Sequence, residues 1–112
     1  MTKPYTIGLI QMQYPGSPKA SLDKACSMLE QAAKQGVQVA CLPELFLTDY
    51  FCQKLDANVF NLAEAVDGPT NKALAAVAKK TGMVIISSIF EKAASGLYYN
   101  TAVIIEKDGS IA

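Results

Sequence analysis

A chain of 112 residues has room for one domain and no more, since domains usually run to ~100–200 residues. Apolar residues make up 51% and charged residues 18%, a mix more apolar and less charged than the usual soluble average, which excludes disorder. Lysines and acids cancel to zero net charge, and neither arginine nor histidine occurs; this argues against a nucleic-acid partner and removes His-dependent nucleophiles and imidazole metal sites within these residues.

Tyr5 to Gln13 is a compact apolar run with Gly8 inside it, the pattern of a strand buried on both faces. Tyr14-Pro15-Gly16-Ser17-Pro18 ends it with turn chemistry. Ser17 is placed to cap a helix with Pro18 in its first turn, where a missing N–H costs nothing. Leu22, Ala25, Cys26, Leu29, Ala32 and Ala33 then recur at helical spacing, and Gly36 ends the helix. Val37 to Leu42 predicts a second short strand, so strand, helix and strand make a right-handed crossover into a parallel pair.

From Pro43 to Gly68 the pattern is irregular, apart from a short helical piece around Ala57 to Ala65. Pro69 and Thr70 open a second helix, which runs through Leu74, Val77 and Ala78 to Lys80 and closes at Gly82. Lys79 and Lys80 at its end read as a solvated face favoured by the helix dipole. Met83 to Phe90 predicts a third buried strand, Ala93-Ala94-Ser95-Gly96 a loop, and Leu97 to Glu106 a fourth strand antiparallel to the third. Alternating β and α followed by a hairpin predicts a mixed α/β sheet. Asp108-Gly109 is a strong hairpin signal, yet only Ser110, Ile111 and Ala112 follow it, so the chain reads as the front portion of a larger protein.

Cys26, Cys41 and Cys52 are odd in number and spaced for neither a disulfide framework nor a zinc knuckle. A reducing cytoplasm is the compartment this implies. The opening apolar stretch is too short for a signal core, and no run approaches the ~20 apolar residues of a membrane span, so no membrane partner is expected.

Ligands of open α/β sheets collect at the carboxyl ends of parallel strands. Glu44 follows the second strand at that position, as either a catalytic carboxylate or a solvated loop acid. Leu45, Phe46, Leu47, Tyr50 and Phe51 lie beside it in sequence, and an apolar pocket made of them would raise a carboxyl pKa toward the range of a general base. A nucleotide-binding module is the competing class, but Gln13-Tyr14-Pro15-Gly16-Ser17 is neither a GxGxxG nor a Walker loop.

Pro43-Glu44-Leu45-Phe46, followed by Asp49-Tyr50-Phe51-Cys52-Gln53, resembles the first catalytic block of the nitrilase superfamily of carbon–nitrogen hydrolases. The Tyr-Phe-Cys-Gln ending is most similar to the N-carbamoylputrescine amidase branch. Leu62-Ala63-Glu64, Asp67-Gly68-Pro69-Thr70 and Tyr99-Asn100-Thr101-Ala102 follow in family order, so the resemblance covers essentially the whole chain. It implies that residues 1–112 are the N-terminal portion of one four-layer αββα sandwich with a mixed sheet, and that the protein is an enzyme with a Glu-Lys-Cys catalytic set.

Glu44 matches the family glutamate, whereas the family lysine, in a Tyr-Arg-Lys block, and the nucleophilic cysteine fall beyond Ala112. The isolated segment is therefore expected to be inactive. None of the three cysteines matches the nucleophile. Cys52, close to Glu44 in sequence, is read as a small buried hydrophobe in preference to a Cys–Glu pair, and Cys26 and Cys41 as packing residues. Asn100 matches a family asparagine and either orients catalytic groups or satisfies local backbone. Asp49, Tyr50 and Phe51 are candidates to shape the substrate pocket, an acid there suiting a cationic amine, with turn stabilisation as the other reading of Asp49. The resemblance further implies a small carbamoyl or amide substrate, no metal or organic cofactor, and a homo-oligomer. An omega-amidase or β-ureidopropionase is the alternative branch.

Overall fold

The computed structural model describes residues 4–49 and 57–112. Along these the elements are β1 (Ile7–Leu9), α1 (Pro18–Lys34), β2 (Val39–Cys41), a 3-10 helix (Ala57–Leu62), α2 (Pro69–Thr81), β3 (Val84–Ala94) and β4 (Leu97–Ile105). Helix α1 begins where the capping chemistry places it: the Ser17 hydroxyl accepts the Ala20 N–H at 3.2 Å, and Pro18 takes the first turn. Helix α2 has Gly68 at its N-cap and so no side-chain oxygen from that residue. Glu64 supplies the missing acceptor. Its carboxylate takes the Thr70 N–H at 3.0 Å and the Thr70 hydroxyl at 2.8 Å, adding negative charge at the positive end of the helix dipole. At the far end Gly82 closes α2 at φ 70°, a conformation that favours glycine.

The four strands lie in the order β1-β2-β3-β4. β1, β2 and β3 run parallel, and β4 returns antiparallel to β3. The mixed α/β sheet is thus as expected. Ala40, Ile85 and Ile105 are directly opposite one another across β2, β3 and β4. Because strand side chains alternate, they share a face with Ile89 and Val103, and that face packs against Leu29 of α1 and Leu74 of α2 in one core. Ser87 points to this side too, and its hydroxyl donates to Asn71 Oδ1 at 2.8 Å. Asn71 in turn donates to the Val66 carbonyl at 2.8 Å, so the buried polar groups are paired.

The opposite face corrects the expectation of strands buried on both sides. Ile7 is 66% exposed, Leu9 80% and Ile104 48%, since no described residue of this chain forms a layer over them. β1 and β2 are also shorter than the apolar runs that predicted them, regular pairing being confined to three residues each. β3 is longer. It continues through Lys92 to Ala94 with a register shift, and Ser95 and Gly96 make a two-residue turn with Gly96 at φ 74°, where a longer loop was expected. Phe60, Phe90 and Tyr98 cluster on this hairpin, with ring centroids 4.7 to 6.0 Å apart.

The Asp108-Gly109 turn forms. Glu106 N–H donates to Ser110 O at 2.7 Å, and Ile111 bridges antiparallel to Ile105, which starts a returning strand. Hydrogen bonds from the Ser110 hydroxyl and N–H hold the Asp108 carboxyl below its usual range.

Candidate active site

β2 delivers the chain to the carboxyl end of the sheet. The Leu42 N–H donates to the Ile86 carbonyl at 3.0 Å, extending the ladder by one step, and Pro43 then turns the backbone out of it. The next residues are fixed at several points. The Leu45 N–H donates to Ser88 Oγ at 2.9 Å, the Thr48 N–H closes a turn on the Leu45 carbonyl at 3.2 Å, and Ser21 Oγ of α1 donates to the Phe46 carbonyl at 2.5 Å. Within this turn Leu45 has φ 49°, the one positive φ at a non-glycine residue among those described. A bulky side chain seldom adopts that conformation, and here the surrounding bonds and burial hold it there.

Glu44 and Asn100, both matched to family positions, meet across the fold. Asn100 Nδ2, on β4, donates to Glu44 Oε1 at 2.6 Å. An ionised carboxylate only accepts, so it must face the NH2 side of the amide. Asn100 thus contacts the acid. Asn100 and Ser88 lie on the same face of the β3–β4 ladder, two positions apart, because Ser88 pairs with Ala102 and side chains alternate along a strand.

Of the residues expected to wall an apolar pocket around Glu44, the three described ones, Leu45, Phe46 and Leu47, do not form it. Phe46 and Leu47 pack into or against the core, and Leu45 is buried beside a cavity of about 10 Å³ that Ser88 and Ile89 also line. Glu44 is exposed. These apolar side chains anchor the loop and leave the carboxylate uncovered. Asp49 is exposed further along the loop, and Tyr50, Phe51 and Cys52 lie outside the described residues. Cys26 is half-buried against the core, and burial, with Asp23 and Glu30 nearby, pushes its thiol up, away from the thiolate a nucleophile needs. Cys41 is half-buried and directs its sulfur at the Leu42 carbonyl. Lys80 is exposed and bonds to Glu30 of α1 at 2.9 Å, which fits a solvated helix end.

Ser21 and Ser88 escaped the sequence reading. For Ser88 the signal was available in Ile-Ile-Ser-Ser-Ile-Phe, where Ser87 and Ser88 interrupt a buried strand and each requires a partner. Ser87 finds its partner under the helices and Ser88 finds its own in the Glu44 loop. Among the described residues no group of three or more His, Cys, Asp or Glu side chains is arranged to hold a metal ion, and no helix is long and apolar enough to cross a membrane.

A strand-end glutamate clamped from the neighbouring hairpin, on a mixed sheet covered by two helices, defines a class. Residues 6–112 match the carbon-nitrogen hydrolase family, and the chain belongs to it, within the nitrilase superfamily. A crystal structure of a carbon-nitrogen hydrolase from Helicobacter pylori G27 superimposes with a TM-score of 0.90 at 39% identity, over 96% of this chain and 37% of that one. The omega-amidase NIT2 of Bos taurus is 30% identical over 96% of this chain. The citrullinase of Francisella tularensis is 33% identical over 94%. The chain spans 37% of the length of each of these two relatives.

Proposed function

We propose that residues 1–112 are the N-terminal portion of a single amidohydrolase domain in which Glu44 is the general base. The observation that carries this reading is the Asn100–Glu44 hydrogen bond, which fixes a carboxylate at the carboxyl end of a parallel strand, within a chain of carbon-nitrogen hydrolase lineage. The remaining catalytic groups, a lysine and a nucleophilic cysteine, belong to the continuation of the polypeptide, and the segment alone is inactive.

In the mechanism that follows, the Glu44 carboxylate takes the proton from the cysteine thiol, and the thiolate attacks the carbon of a carbamoyl or amide group. The lysine ammonium and a backbone N–H stabilise the oxyanion. Collapse of the tetrahedral adduct breaks the C–N bond, Glu44 returns its proton to the departing ammonia, and water then cleaves the thioester; from a carbamoyl substrate this releases a carbamic acid, which loses carbon dioxide to leave the amine. N-carbamoylputrescine is the substrate proposed, giving putrescine, carbon dioxide and ammonia. The Tyr50-Phe51-Cys52-Gln53 block and the nearby Asp49, suited to a cationic amine, support it. The citrullinase relative supports a terminal ureido group as the reacting centre, whereas the omega-amidase relative favours a carboxylate-bearing amide. The free thiols of Cys26 and Cys41 fit a cytoplasmic setting, and a homo-oligomer is part of the same reading.

Ammonia release by the full-length protein from N-carbamoylputrescine, citrulline, succinamate and N-carbamoyl-β-alanine separates the branches. N-carbamoylputrescine is expected to give the highest kcat/KM; preference for succinamate would move the protein to the omega-amidase branch. Glu44→Gln should lower kcat by at least ~10²–10⁴-fold, the usual share of a general base, while circular dichroism and Tm stay those of the parent. Retained turnover in that variant would remove Glu44 from the role of base.

A further inference from the structure

We propose that Ser88 is a positioning residue for the Glu44 base, resting on the reading of Glu44 given above. Its hydroxyl oxygen accepts the N–H of Leu45, the peptide group directly attached to Glu44, at 2.9 Å. That residue is the one held at positive φ, with its side chain 4% exposed. Release of the N–H would let the Leu45 backbone relax toward ordinary φ values, and the turn would swing the Glu44 Cα–Cβ bond with it. The carboxylate would then leave Asn100.

The geometry makes this a two-point grip. Asn100 on β4 holds the carboxylate at 2.6 Å and Ser88 on β3 holds the adjoining peptide, from two neighbouring strands whose mutual register is fixed by their ladder. A single point of attachment leaves a carboxylate free to rotate about its side-chain torsions. Attachment of backbone and head group to one rigid hairpin fixes both ends of the side chain, which is what a base needs when an error of 1 Å costs ~10²-fold in rate. Ser88 is itself nearly buried, and a cavity of about 10 Å³ lies beside it, room for about one small atom group.

The test uses the full-length protein and ammonia release from N-carbamoylputrescine, or from whichever of the four probes above it turns over best. Ser88→Ala should lower kcat by ~10–100-fold with KM changed less than about threefold. Ser88→Thr keeps the acceptor oxygen and should restore kcat to within about fivefold of the parent. Ser88→Ala and Asn100→Ala should combine to much less than the product of their separate effects, because either one releases the same carboxylate. If Ser88→Ala lowers Tm but leaves kcat untouched, Ser88 only packs the strand and the proposal fails. If Ser88→Ala does not fold, Ser88→Thr decides: parental kcat sustains the role and a drop as large as that of Asn100→Ala overturns it. Activity surviving Glu44→Gln would instead remove the catalytic reading itself, a result distinct from either outcome at Ser88.

Discussion

The two faces of the sheet follow opposite rules. Under α1 and α2 the inner row Ala40, Ile85, Ser87, Ile89, Val103 and Ile105 is buried, and its polar member, Ser87, is paired with Asn71 of α2. On the other face Ile7, Leu9 and Ile104 stand in the open beside the Glu44–Asn100 pair. The covered face explains why the segment holds its shape, and the open face carries the Glu44–Asn100 pair proposed as part of the site. Apolar strands with one bare side are the signature of half a sandwich, and they place the acid where a second layer would enclose it. Enclosure matters because removing water strengthens the electrostatic contacts of a catalytic carboxylate.

Substitutions on the two faces of the full-length protein should separate these roles. Leu29→Ala, in the covered core, should cost about 2–5 kcal/mol of stability by leaving a cavity, measured as the urea midpoint. Leu9→Ser should cost about 1.5–3 kcal/mol if a second layer covers that face. A midpoint unchanged by Leu9→Ser would show that the face remains in water. Asn71→Ala should cost about 1–3 kcal/mol by orphaning the Ser87 hydroxyl and the Val66 carbonyl, with kcat unaffected because its contacts lie under the helices.

The smallest effect is electrostatic. The hydrogen bond and charge of Lys80 hold the Glu30 carboxyl below its ordinary value. A depressed carboxyl contributes stability that is complete above the unfolded value of ~4.3 and is lost as pH falls through the folded one. Lys80→Met should therefore make the urea midpoint slightly less sensitive to acid below about pH 4.3, with little change at neutral pH for so exposed a pair.

What could be read from the amino acids was local. Ser17-Pro18 set the start of α1, Gly82 the end of α2 and Asp108-Gly109 the last turn, because each acts on backbone within a few residues. Glu44 could be singled out since strand ends are where sheets bind ligands. Its surroundings could not be read in the same way. The apolar residues that follow it in sequence point into the core, and its actual partner lies 56 positions away, beyond α2 and β3. Exposure of β1 was equally hidden, because an apolar run records how a strand is buried in its finished setting, whichever segment provides the cover.

The Glu44–Asn100 bond spans 56 positions of sequence, which gives it a place in time. At ~5–20 residues per second of synthesis, the acid leaves the ribosome roughly 3–11 s before the strand that grips it. Through that interval the turn after β2 lacks the Asn100 contact, and for most of it the Ser88 contact as well. The β3–β4 hairpin is thus the late piece that fixes the loop carrying Glu44, and slow pairing of this hairpin would delay the ordering of the proposed base more than the appearance of helices.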